Sequence, residues 1–293
     1  MEIGKLGIWC SFEAMTSSDA AAAAARVESL GYGTLWFPEA LGREAFASAS
    51  FLLASTSKIV VATGIANIWA RDAMTMACGS RTLAEQSAGR FLLGIGVSHR
   101  PIVTGLRGHR FEKPLSTMRS YLDAMQNAPY AAVAPAEEAP CVIGALHPKM
   151  LALSAARTRG SHTYLVPPEH TAFARETMGA GSWICVEQKV LLESDPAKAR
   201  SLARNVIAMY LALPNYRTNL ERFGYADNDF AAGGSDRLVD ALVAWGNENA
   251  IAARIQAHRD AGADHVCIQA LHPDGLPLPD WNVLEGLAPQ RNP

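Results

Sequence analysis

Short apolar runs alternate with longer amphipathic stretches along almost the whole chain. Residues 6–10, 34–38, 59–68, 91–97, 141–146, 163–166, 184–192 and 266–271 are nearly continuous in hydrophobic character, the pattern of parallel strands buried on both faces. Between them, residues 19–30, 44–56, 72–87, 112–127, 148–158, 168–178, 196–213 and 250–261 read as helices. Pro148, Pro168 and Pro196 stand at first helical turns, where no N–H is needed, and Gly31, Gly89 and Gly262 stand at helix ends. Asp19 and Asp72 are expected as N-caps. Residues 129–140 form a Pro- and Ala-rich linker, and residues 215–249 a longer helical or looped excursion. Eight strand–helix alternations without a break predict a single (β/α)8 barrel of the TIM type, one domain over residues 1–293, with the excursion before the last strand. An open doubly wound sheet is the competing architecture, but no GxGxxG opens a helix after the first strand.

Composition narrows the partners. Hydrophobic residues make up 49% of the chain and charged ones 18%, which supports a large core and excludes disorder. Lys plus Arg number 26 and Asp plus Glu 28, a net charge of −2 without any dense basic block, so no nucleic-acid partner is expected. The 5 cysteines (Cys10, Cys78, Cys141, Cys185 and Cys267) are dispersed with no CxxC spacing, as in a reducing cytoplasm. The N-terminal residues lack a signal-peptide pattern, and the alanine run at 20–25 is followed too soon by Arg26 and Glu28 to cross a membrane. The expectation is a cytoplasmic protein without a membrane partner.

A parallel barrel places its chemistry at the C-terminal ends of the strands. Those ends carry Trp9, Glu39, Asn67, Val97, Ser98, His99, His147, Val166 and the segment 269–272. No HxH or HExxH spacing is present, so no metal site is expected. Asn67 lies in an apolar strand and demands partners. Gly64, Gly94 and Gly96 mark either tight barrel packing or close approach of a ligand. Glu39 reads as a rim carboxylate that either pairs locally or acts chemically, and His99 as a loop histidine or a proton carrier. His109 and His170 read as exposed polar residues.

The segments ATGIANIWARDA (62–73), GRFLLGIGVSH (89–99) and ALHPKMLALSAARTRG (145–160) resemble signature regions of the luciferase-like monooxygenase superfamily, and AGADHVCIQ (261–269) fits the same order. YLALPNYRTNLERFGY (210–225) and GGSDRLVDALVAWG (233–246) are similar to its coenzyme F420 (deazaflavin)-dependent oxidoreductase branch. The resemblance implies an oxidoreductase that moves a hydride between coenzyme F420 and a small organic substrate. FMN-dependent monooxygenation and a non-catalytic flavin-binding homologue are the alternatives. It further implies that Glu39 lies beside the cofactor ring and that Thr63 and Gly64 form a bulge with a non-prolyl cis peptide beneath it. Val97, Ser98 and His99 would line the ring, Gly144, Ala145, Leu146 and His147 meet the phosphate, and Leu165 and Val166 complete the wall. Trp9, Trp69 and Tyr216 are candidates for the substrate wall, and Arg43, Arg71, Arg100 and Lys149 for the acidic tail. A homodimer is the family habit. Two departures bear on catalysis. The sugar-phosphate dehydrogenases of the family have a histidine where this chain has Ala40, and a glutamate where it has His99. His99 is therefore the first candidate for the proton step and Glu39 the second.

Overall fold

Strands form where the apolar runs end in turn-forming residues, and the sheet they build closes on itself. The structure, a computed structural model, describes residues 1–289. Its strands are β1 (Leu6–Trp9), β2 (Thr34–Phe37), β3 (Val60–Thr63), β4 (Ala66–Asn67), β5 (Phe91–Gly96), β6 (Cys141–Gly144), β7 (Gly160–Thr163), β8 (Trp183–Leu192), β9 (Val243–Gly246) and β10 (His265–Ala270). All pairings are parallel, in the order β1, β2, β3, β5, β6, β7, β8 and β10, and β10 returns to β1 through Leu6↔Val266 and Gly7↔Cys267. β3 and β4 are one strand interrupted at residues 64–65, and both pair with β5. The result is the expected (β/α)8 barrel.

Three local readings need correction. The seventh strand is Gly160–Thr163, three residues before the apolar run at 163–166. Leu165 has a left-handed backbone with φ of 57° and turns the chain out of the sheet, while the strand itself directs His162 into the barrel and Ser161 outward against Met178. The excursion is more ordered than its sequence suggests. It contains helices Pro214–Glu221 and Asp236–Leu242 and adds β9 to the far end of β8, from Lys189↔Val243 to Leu192↔Gly246. The first helix, Ser17–Ser29, is capped by Thr16, whose Oγ1 accepts from the Asp19 amide at 3.1 Å, so Asp19 belongs to the first turn. Asp72 caps helix Ala73–Gln86 as expected, accepting from the Thr75 amide at 2.9 Å.

Apolar side chains fill the shell between helices and sheet, and Trp9, Trp36, Val60, Ala62, Leu92 and Val142 fill much of the barrel centre. The centre also holds polar groups with fixed partners. Trp36 stacks on His162 with ring centroids 4.5 Å apart and donates Nε1–H to His265 Nε2 at 3.0 Å. His265 Nδ1–H donates to the Gly4 carbonyl at 2.7 Å, which leaves Nε2 as the acceptor. Outside the sheet, His258 links Thr171 at 2.8 Å to Gln188 at 2.9 Å. His170, expected at the surface, is fully buried: its Nε2 lies 2.9 Å from the Leu146 carbonyl and its ring packs edge-on to Phe223.

Burial holds these four histidines neutral, pushing His162 and His258 down to about 3 and His170 and His265 to about 4. Above the unfolded value of 6.5 their titration does not affect stability. Below it the unfolded chain binds protons that the native interior refuses, about 2 kcal/mol per histidine by pH 5 in the limit of complete burial. Stability should therefore fall between pH 6.5 and 4.5, before the carboxylates whose folded pKa is depressed, such as Glu28, begin to protonate. Urea midpoints measured from pH 8 to 4.5 check this. A midpoint that stays level down to pH 5 contradicts it.

Candidate active site

The strand interruption at residues 64–65 shapes one side of the barrel mouth. The Gly64–Ile65 peptide bond is cis, one residue beyond the Thr63–Gly64 position that the resemblance implied. The Ile65 side chain turns toward β5 and β6, into space that only glycines leave. A Cβ at Gly96 would lie 2.6 Å from Ile65 Cδ1, one at Gly144 3.3 Å from Ile65 Cγ2, and one at Gly94 2.0 Å from the Thr63 carbonyl oxygen. These glycines are explained by packing against residues 63–65. Gly64 differs, because its Cβ would face Trp9 Nε1 at 3.0 Å and His162 Nε2 at 3.1 Å in the barrel interior. Thr63 Oγ1 is engaged by Gly94, donating to its carbonyl at 2.7 Å and accepting from its amide at 2.9 Å.

Glu39, at the end of β2, is locked in place. Arg71 pairs with both of its oxygens, the Nη1–Oε2 contact being 3.0 Å, and the Asn67 amide donates to Oε2 at 2.7 Å. Only 5% of the Glu39 side chain and 7% of the Arg71 side chain is exposed, so both carboxylate oxygens are committed to protein donors. Glu39 thereby ties β2 to β4 and fixes Asn67. The Asn67 carbonyl accepts from the Trp69 amide at 3.0 Å, while its buried Nδ2 has no partner among the described residues. Trp69, half-buried, donates its indole N–H to the Val97 carbonyl at 3.0 Å.

The other side is a cluster of phenols over a buried ion pair. Glu187 and Lys189, two residues apart on β8, point to the same face; their contact is 3.2 Å and both side chains are 0% exposed. Lys189 Nζ lies 3.8 Å from the ring centre of Tyr164 and 5.2 Å from that of Tyr210. The Tyr164 hydroxyl is 3.0 Å from both the Tyr210 hydroxyl and Gln269 Oε1. Tyr216, buried, completes the group at 5.6 Å from Tyr210, and Trp9 reaches Tyr164 at 5.3 Å. Burial raises all three phenols, so at neutral pH they are hydroxyl donors. Burial also raises the Glu187 carboxyl and lowers the Lys189 ammonium, and each one's charge draws the other back toward its ionised form.

His99 closes the gap between the two sides. The chain leaves β5 through Ser98, left-handed with φ of 56°, and enters a π-helical turn over Pro101–Leu106. The His99 carbonyl accepts from the amides of Ile102 and Val103, both at 3.0 Å, and its ring meets Tyr216 at 5.3 Å. Neither ring nitrogen bonds to a protein group among the described residues. Burial lowers its pKa below 6.5, so the imidazole is neutral at pH 7.

The structure thus brings Trp9, Asn67, Trp69, Val97, Ser98, His99 and Tyr216 to one end of the barrel. Gly144, Ala145 and Leu146 follow β6. His147 precedes helix Pro148–Arg157 and its Nε2 lies 3.2 Å from the Asn215 carbonyl. Leu165 and Val166 are buried, and the Leu165 amide donates to Glu187 at 3.2 Å. Among the proposed tail-binding cations, Arg43 is held by the Phe12 and Met15 carbonyls and Arg71 by Glu39 and Glu44, while Arg100 and Lys149 are exposed. Sequence reasoning missed Glu187, Lys189, Tyr164 and Tyr210. Two charges at alternate positions within the largely apolar run WICVEQKVLL were the available signal. Among the described residues no cluster of His, Cys, Asp or Glu is arranged to hold a metal ion, and no helix is long and apolar enough to cross a membrane.

The profile of the luciferase-like monooxygenase family matches residues 5–265. A protein of Mycobacterium tuberculosis named "Putative coenzyme F420-dependent oxidoreductase" is 33% identical over 127 residues, 43% of this chain but only 36% of that protein. The 5,10-methylenetetrahydromethanopterin reductase of Methanolobus tindarius is 25% identical over 282 residues, covering 82% of this chain and 86% of the reductase. Among solved structures, an F420-dependent secondary alcohol dehydrogenase superposes with a TM-score of 0.78 over 98% of this chain and 97% of its own, at 14% identity, a likeness of fold.

The ion pair generates a stability prediction. Lys189→Met leaves Glu187 buried without its cation and should destabilise the protein by about 3–5 kcal/mol. Adding Glu187→Gln removes the remaining charge and should recover most of that loss in urea denaturation. A double variant no more stable than Lys189→Met would show that the pair is not the source of the effect.

Proposed function

The chain belongs to the luciferase-like monooxygenase family, and we propose that it is an oxidoreductase using coenzyme F420 to transfer hydride to or from a small organic substrate. The F420-dependent activities in the names of its relatives support this reading. The observation that carries it is His99, a neutral imidazole at the mouth with both nitrogens free of protein bonds.

The residues of the mouth offer suitable groups to a planar deazaflavin. The unpartnered Asn67 Nδ2 is a buried donor suited to a ring carbonyl, and Trp69 with residues 97–99 provides the adjoining wall. Residues 144–147 and the first turn of helix Pro148–Arg157 offer backbone amides and a helix dipole to a phosphate. When bound, coenzyme F420 supplies the hydride acceptor or donor. In the oxidative direction the substrate loses a hydride from carbon and a proton from the neighbouring heteroatom. His99, neutral at pH 7, accepts that proton at a ring nitrogen and returns it in the reverse direction. The protonated Tyr210 phenol, which accepts from Tyr164, offers a hydrogen bond to the same heteroatom, and Trp9, Trp69 and Tyr216 exclude water. Glu39 acts by positioning Asn67 through its amide.

Two outcomes are expected. His99→Gln, with folding and cofactor affinity retained, should lower turnover by about 100-fold or more. The wild-type rate in the oxidative direction should be level above pH 7 and fall as His99 protonates below 6.5, a limb absent from the variant. Near-wild-type turnover in His99→Gln would exclude the proton role. Separately, titration should show coenzyme F420 binding at least tenfold tighter than FMN, about 1.4 kcal/mol. Equal or reversed affinities would favour the FMN-dependent reading.

A further inference from the structure

The segment that follows His99 carries Arg100, Arg107, Arg110 and Lys113, with Glu112 as its one carboxylate. None of these cationic side chains forms an ion pair or donates a hydrogen bond to a protein acceptor among the described residues. Several other surface arginines are paired instead. Arg81, Arg157, Arg200 and Arg237 each meet a carboxylate at 2.9 Å or closer. The segment is anchored against the mouth by aromatic contacts. His109 stacks on Trp69 at 6.0 Å with 29° between the rings, Phe111 lies 6.4 Å from Trp69, and the Arg100 guanidinium sits 5.4 Å from the Phe111 ring centre. A guanidinium lying over an aromatic ring keeps its N–H donors free for a carboxylate or phosphate.

We propose that Arg100, backed by Arg107, Arg110 and Lys113, is a binding site for a carboxylate or phosphate group at the edge of the active-site mouth. The site rests on the functional reading only for the identity of the mouth. Arg100 follows His99 in the chain, so an anion held there would lie at the edge of the mouth that His99 occupies. Two sources share this chemistry: an acidic substrate, and the phosphate and glutamate tail of coenzyme F420. On the structural side the protein has a net charge of −2, so the attraction is local to this segment and should be screened by salt.

The test uses the full chain without cofactor, and the exposed double variant Arg100→Gln/Arg110→Gln. Lys5→Gln/Lys58→Gln, which precede β1 and β3 at the opposite end of the barrel, makes the same charge change elsewhere and serves as control. Calorimetric titration with citrate, a polycarboxylate probe, should give binding that weakens at least tenfold in the arginine variant, weakens with added NaCl, and persists in the lysine control. Parallel titrations compare intact coenzyme F420 with its deazaflavin alcohol, which lacks phosphate and glutamates. If the tail occupies the site, intact coenzyme binds at least tenfold tighter than the alcohol, and the arginine variant abolishes the gap. If a substrate occupies it, the arginine variant loses citrate binding while the affinities for both deazaflavins are unchanged. Citrate binding with no deazaflavin binding would sustain the anion site and remove the F420 reading. The proposal is overturned if both variants bind citrate alike and the arginine variant leaves the gap between coenzyme and alcohol intact, or if wild type binds no citrate and shows no such gap.

Discussion

A closed barrel must fill its own centre with side chains, and here the filling includes charge. β8 sends Glu187 and Lys189 inward one layer apart, and Lys189 ends beneath Tyr164 and Tyr210. The surroundings are apolar enough that either charge alone would be strongly disfavoured. Together they form a base for the phenols above, because the ammonium holds the Tyr164 ring face and Glu187 holds the Leu165 amide. The end of β7, the helix bearing Tyr210 and the strand β8 thus depend on one pair of residues.

The opposite side of the mouth is held by shape and by a different carboxylate. Ile65 occupies the hollow left by Gly96 and Gly144, which sets how closely β3, β5 and β6 approach. Glu39 accepts from Arg71 and from the Asn67 amide, so the strand break ends in a fixed geometry. Both acidic residues of the mouth are therefore structural anchors with paired oxygens. The imidazole of His99 sits between the two anchored sides with its nitrogens free, which is what an acid–base group requires. Rigid walls around an unengaged imidazole are a coherent arrangement for the proposed hydride chemistry, in which a bound cofactor would handle electrons and the protein orientation and one proton. The fold alone carries many chemistries, so the functional reading rests on these residues and on the kinship of the chain.

The barrel was legible in the sequence because parallel strands covered on both faces must be apolar, and the helices between them must show a 3.6-residue period. That reasoning located β1, β2, β5 and β8 and the strand-end residues Glu39, Asn67 and His99. It failed at β7, where the apolar run at 163–166 lies past the strand and the strand itself contains His162. A polar residue is admitted to a barrel interior when tertiary contacts hold it: His162 stacks on Trp36 and its Nδ1 meets the Cys185 carbonyl, while its Nε2 has no partner among the described residues. Linear periodicity carries no record of those partners. The same limit hid His170 in the core.

For the site, chain order determined which residue types reach the C-terminal face, since the end of each parallel strand is fixed by its apolar run. Only the tertiary structure decided what each could do there. Glu39 and His99 were alike as rim candidates until packing gave Glu39 an arginine and left His99 free. The glycines at 94 and 96 were ambiguous until the Thr63 carbonyl and Ile65 were seen to occupy their space. Tyr164, Tyr210 and Lys189 come from separate segments and meet only when the barrel closes. Position along a chain specifies an element and its face; the partners that set a side chain's charge, exposure and freedom lie far away in sequence and are fixed by the fold.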